Sequence, residues 1–209
     1  MTLMLLAVKG FALGFAIAAP LGPIGALCIN RTLQRGFWVG LAGGLGTAFA
    51  DAFYGGLAAV GFAAFSSFLA GIDAPMRLFG GLAMIWFGWQ GMKPKAPRPA
   101  AEIGARDILG TIGATFLLTV ANPTTILSFA LFFAGLGLAS AADAPSTMVV
   151  VIGVFAGSLA WWIILTGSVA LVRHKVSDRL ALWVGRLSGV MILAFGLLAV
   201  GSFIAALWR

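Results

Sequence analysis

Asp51 is the residue of this sequence best placed to do chemistry. It follows the stretch Gly36 to Ala50, which carries no charge, whereas Asp73, Glu102, Asp107, Asp143 and Asp178 map to connections between apolar segments. A carboxylate at the centre of a membrane helix costs roughly 2.5 kcal/mol or more, so one that persists there marks a functional site by default. Its neighbours at helical spacing are Thr47, Ala48, Tyr54 and Gly55, with Gly44 on the same face. That face is small and slightly polar. The structural alternative is a neutral aspartate hydrogen-bonded to a neighbouring helix. As a site residue, Asp51 would couple transport to a proton or hold a cationic amine.

Two breaks supply the other chemistry. Pro20-Leu21-Gly22-Pro23 interrupts the first long apolar segment, and Asn122-Pro123-Thr124-Thr125 interrupts another about a hundred residues on. Proline removes a backbone donor and clashes with the preceding turn. In hydrocarbon the freed carbonyls must be satisfied within the protein or face a water-filled cavity. Matched breaks in two halves of a chain point to a transport site, where half-helix N-termini suit a carboxylate and exposed carbonyls suit a cation. The expected substrate-binding set is therefore Pro20, Gly22, Pro23, Thr47, Asn122, Pro123, Thr124 and Thr125, with Asp51 as the coupling group. Nothing suggests a catalytic constellation, a cofactor or a metal centre. Cys28 is the single cysteine and His174 the single histidine, too few for an internal disulfide or a zinc site.

The elements that must hold these residues are membrane helices. The chain has 209 residues, 61% hydrophobic and 9% charged, with a mean hydropathy of +1.07; soluble domains carry roughly 25% charge. Six segments come close to the ~20 residues needed to span a bilayer: Val8 to Ile29, Phe37 to Phe62, Pro75 to Met92, Ile108 to Phe133, Thr147 to Val172 and Leu187 to Trp208. Ala16-Ile17-Ala18 resembles a signal-peptidase site, but no basic stretch precedes the apolar run, so the first segment reads as a membrane helix. The net charge of +7 reflects basic residues flanking apolar segments, which are topology signals rather than a nucleic-acid surface. Arg31 and Arg35, then Lys93, Lys95, Arg98 and Arg106, then Arg173, Lys175, Arg179 and Arg186 gather at the first, third and fifth connections. That places ten of the thirteen basic residues on one side. The positive-inside rule makes this side cytoplasmic and turns both termini outward.

The halves resemble each other. Gly22-Pro23 answers Asn122-Pro123, the region of Asp51 answers that of Ser158, Trp161 and Trp162, and the run from Gly81 to Gly88 repeats the spacing of Gly189 to Gly196. Three spans per half require opposite insertion. The expectation is one all-α transporter domain over residues 1–209, with six helices in an inverted 3+3 repeat and the first and fourth helices broken. The halves cover about 1–92 and 108–209, joined by a basic, proline-containing linker at 93–107. The ladders Gly10, Gly14, Ala18 and Gly36, Gly40, Gly44 allow close helix packing, including a homodimer.

These residues together resemble the lysine-exporter family of bacterial amino-acid exporters. The resemblance rests on Gly10 and Gly14, Pro20-Leu21-Gly22-Pro23, Arg35-Gly36, Gly46, Asp51 and Asn122-Pro123. It implies ion-driven export of an amino acid, or a related amine-bearing metabolite, across the bacterial inner membrane. The chain departs from the family at Thr124, where many members carry lysine after the Asn-Pro pair. The competing readings fit less well. A thiol-disulfide membrane enzyme needs a cysteine pair, and a metal exporter needs a ligand cluster. A channel shares the architecture without the coupling.

Overall fold

The computed structural model describes residues 2–20, 22–60, 74–92, 104–122, 125, 128, 129 and 144–207. Among them the chain is helical throughout, with no strand. Helix α1 (Leu3–Ala18) is capped by Thr2, whose Oγ1 accepts from the Leu5 N–H at 3.4 Å. Pro20 and Pro23 prevent its continuation. Helix α2 (Pro23–Arg35) restarts with proline at its first turn, where no amide donor is missed. The two are bent by 78° and together are long and apolar enough for one broken span or a re-entrant loop. Gly36 closes α2 with φ +89°, the left-handed conformation that favours glycine, and its N–H reaches the Thr32 carbonyl at 2.9 Å. Helix α3 (Phe37–Val60) follows at once.

A π-helical turn at Met76–Gly80 leads into α4 (Gly81–Met92). Helix α5 spans Ala105–Val120, α6 spans Ala144–Val172, and a 3₁₀ turn at Arg173–Lys175 precedes α7 (Asp178–Leu207). Pro145–Lys175 and Leu182–Ala206 are each long and apolar enough to cross a membrane, and the bent pair makes a third. The other three expected spans adjoin residues outside the described set. Exposed Met4, Trp38, Leu117, Leu171, Trp183 and Leu198 give the bundle an apolar exterior, as an integral membrane protein requires.

Several boundaries differ from the sequence expectation. Helix α1 starts at Leu3 rather than Val8, and α7 starts at Asp178 rather than Leu187. Arg31 and Arg35 belong to α2, Asp107 to the first turn of α5, and Arg179 and Arg186 to α7, not to connecting loops. In α7 the hydropathy marks only the hydrocarbon-crossing part, while backbone hydrogen bonding carries the helix back through the more polar residues 178–186. Asp107 stands in the first turn of α5, where the macrodipole favours an acid.

Helix α6 is the central strut, packed by α1 on one side and α3 on another; α5 lies along α3, and α7 pairs with α4 and also meets α2. Glycines set these distances. A Cβ on Gly14 would meet the Val154 carbonyl, and one on Gly157 the Phe11 carbonyl, so α1 and α6 touch backbone to backbone. Gly81 faces Gly196 and Gly88 faces Gly189 in the same way across α4 and α7. Gly44 lies under the Trp162 ring. Both glycine ladders are thus used within one chain. Above the breaks, Leu13, Tyr54, Phe129, Val150 and Val154 form one apolar cluster; Leu27, Met84, Leu118 and Ile192 form another.

Candidate functional site

The break between α1 and α2 exists because Pro20 and Pro23 cannot continue a helix. It leaves the N-terminus of α2 with no side-chain cap at Gly22. Around this end lies a cavity of about 210 Å³, lined by Pro20, Gly22, Pro23, Thr47, Asp51, Asn122 and Thr125 among others. These seven are the expected site residues within the described set, brought together from α2, α3 and the end of α5. Pro123 and Thr124 lie outside the described residues.

The cavity has both polar and apolar lining. Asp51 is 1% exposed, and its Oδ2 accepts a hydrogen bond of 2.7 Å from the Ser158 hydroxyl on α6. The threonines beside it commit their hydrogens to helix carbonyls: Thr47 Oγ1 donates to Gly43 O at 3.2 Å and Thr119 Oγ1 to Thr115 O at 2.8 Å. Thr119 Oγ1 also lies within donating reach of Thr47 Oγ1, at 3.4 Å. A carboxylate beside hydroxyl oxygens makes this part of the wall rich in acceptors. Ile24 and Gly25, which also line the cavity, open α2, whose first amides carry the positive end of the helix dipole. Ile17, Ala18 and Phe195 supply apolar surface.

The second break is braced from α3. The Tyr54 hydroxyl donates to the Val120 carbonyl at the last residue of α5, and Ala121 and Asn122 follow in a turn. This carbonyl is one that the broken helix cannot satisfy internally. Tyr54 sits one helical turn from Asp51, so α3 both presents the carboxylate and holds the break beside it.

Sequence reasoning did not place Thr119, Ser128 or Phe195 at the site. A signal for Thr119 was present, because Thr111, Thr115 and Thr119 recur every four residues and all are buried on one face of α5. The Trp162 ring fills the space over Gly44 and also lines the cavity, with its indole N–H buried and unpartnered. No group of three or more metal-ligating side chains occurs among the described residues.

The family resemblance read from the sequence is borne out. The pattern of the LysE type translocator family matches residues 15–202. A protein of Bacillus subtilis (strain 168), "Putative amino acid efflux protein YcgF", is 28% identical over 191 residues, covering 88% of this chain and 90% of its own. The "Uncharacterized membrane protein YahN" of Escherichia coli (strain K12) is 27% identical over 176 residues, 81% of this chain and 77% of that one. No solved structure matches the chain. The match covers both breaks, Asp51 and every element that lines the cavity, so this chain belongs to the LysE type translocator family.

Proposed function

We propose that this translocator exports a small amino acid, or a related amine-bearing metabolite, from the bacterial cytoplasm through the cavity between its two breaks, driven by a proton gradient through Asp51. The observation that carries this reading is the composition of the cavity wall. An acceptor-rich side with one buried carboxylate suits an ammonium, and the uncapped end of α2 suits a carboxylate. A zwitterion needs both. The volume of about 210 Å³ lies below the ~300–1,000 Å³ of sites for drug-sized ligands, which favours a small solute. The name of the Bacillus subtilis relative agrees with this class.

Asp51 serves both tasks in alternation. In the outward-release state it holds a proton, and in the loading state it exchanges that proton for the ammonium. Burial would make its bare charged form costly, so one cation or the other accompanies it. Ser158 keeps the carboxylate aimed into the cavity.

An inverted repeat supplies the alternation. Exchanging the halves turns the contact of α1 with α6 into that of α5 with α3, and both contacts are present. The pairs α3 with α6 and α4 with α7 map onto themselves. Gly81 against Gly196 and Gly88 against Gly189 are the antiparallel contacts that a two-fold axis in the membrane plane would generate. With the basic connections inside, both termini lie in the periplasm.

The test is counterflow in proteoliposomes with a panel of radiolabelled amino acids. Uptake of a labelled amino acid against unlabelled solute trapped inside identifies a carrier and its substrate. Flux without such exchange, for every solute, would replace the carrier with a channel.

A further inference from the structure

We propose a second site, for an oxyanion, in the pocket of about 390 Å³ where Arg31, Arg35 and Arg106 converge with Asp107, Thr111 and Phe87. It is separate from the central cavity but shares α2 with it. Arg31 follows Gly25, a cavity residue, by six positions, or about 9 Å along the helix.

The charge balance of the pocket is the first observation. Three guanidiniums line it with one carboxylate, and Asp107 Oδ1 is bonded to Arg35 Nη2 at 2.9 Å. The second observation is the state of the donors. Arg31 Nη1 and Arg35 Nε are both buried with no hydrogen-bond partner. A buried donor of a charged group left unsatisfied is strongly unfavourable. Thr111 Oγ1, which donates to the Asp107 carbonyl at 2.7 Å, is a partner of neither donor.

Basic residues near a helix C-terminus complement the macrodipole. That accounts for Arg35, in the last turn of α2. It does not account for Arg31, one turn earlier, which is turned inward against α3. A methyl group on Gly43 would come within 3.6 Å of its Nη1. Gly43 leaves room for the guanidinium, and the pocket leaves room for what the guanidinium binds. The planar fork of arginine matches the two oxygens of a carboxylate or phosphate.

Two sources present that chemistry at this end of the bundle. One is the carboxylate of the solute on its way to the cavity, which rests on the amino-acid reading above. The other is the phosphate of a phospholipid. Either would bond the guanidinium nitrogens that line the pocket and offset their excess positive charge.

The experiment uses the purified full-length protein in an uncharged detergent, with its melting temperature as the readout. Sodium propionate is compared with propylammonium chloride at equal ionic strength, and phosphatidylglycerol with phosphatidylcholine. Propionate at concentrations well above its Kd is expected to raise the melting temperature by about 2–4 °C, and propylammonium is not. Arg31→Gln should abolish the rise and Arg106→Gln should weaken it. Asp51→Asn, which alters the central cavity, should keep it. A rise with phosphatidylglycerol alone that depends on Arg31 supports the site and assigns it to lipid phosphate. Arg106 is exposed, so Arg106→Gln carries the test if Arg31→Gln does not fold. No shift with either anion, or one that survives both arginine substitutions, overturns the proposal. Propionate binding requires no transport, so a failure to export any amino acid leaves this result independent.

Discussion

Ser158 and Asp51 stand 107 residues apart in the chain and meet in one buried hydrogen bond, Oγ to Oδ2 at 2.7 Å. The bond ties α3 to α6, the two central helices, at the wall of the cavity. The carboxylate is thereby held in one orientation by a neutral donor that does not fix its charge.

Asp51→Asn keeps the size of the side chain and most of its hydrogen bonding but cannot change charge. Membrane levels of the variant are expected to match the wild type, with export driven by an imposed pH gradient abolished. Exchange without a gradient separates the two roles: it survives if Asp51 only couples, and fails if Asp51 also grips the ammonium. Undiminished gradient-driven export would remove Asp51 from the mechanism.

Ser158→Ala leaves Asp51 in place and removes its donor. A hydrogen bond to a charged group contributes about 1.5–3 kcal/mol, so transport should fall roughly tenfold or more while the fold persists. Vesicle assays beside the wild type provide the comparison, and full activity would show that Asp51 is oriented by other contacts.

Gly157→Val tests the packing of α1 on α6. Its side chain would strike the Phe11 carbonyl, and backbone cannot yield as a flexible side chain does. Overpacking of this kind costs typically about 1–3 kcal/mol. Lower yield of monodisperse protein after detergent extraction is expected. Gly113→Val, at a site where an added Cβ meets nothing within 4 Å, is the control and should behave as wild type.

Orientation is read by labelling. In a variant with Cys28 replaced, single cysteines at Gly71 and Ala142 should react with an impermeant maleimide applied to intact cells. One at Ala96 should react only after permeabilisation. Labelling of Ala96 from outside would reverse the proposed topology.

Restoring the helix at the second break with Pro123→Ala should leave insertion intact, since alanine favours helix, but remove most transport. Normal export by this variant would make the break a tolerated defect rather than part of the site.

The sequence by itself determined the class of this protein and singled out seven of the residues that line the cavity. Hydropathy is a property of composition along the chain, and proline breaks a helix by its own covalent geometry, so the membrane helices, the break before Pro23 and the isolated Asp51 were legible without coordinates. Tertiary structure decided who meets whom. That Ser158 rather than a residue of α3 itself would satisfy Asp51, that Tyr54 would brace the Val120 carbonyl, and that Arg31 would turn inward beside Gly43 depend on helix rotation and distance. Those are set by where small residues on separate helices allow backbones to touch. In a sequence with 29 glycines, local pattern alone does not say which glycines make that contact. The start of α7 was hidden for a related reason: a helix continues by hydrogen bonding after its hydrophobic signal has stopped.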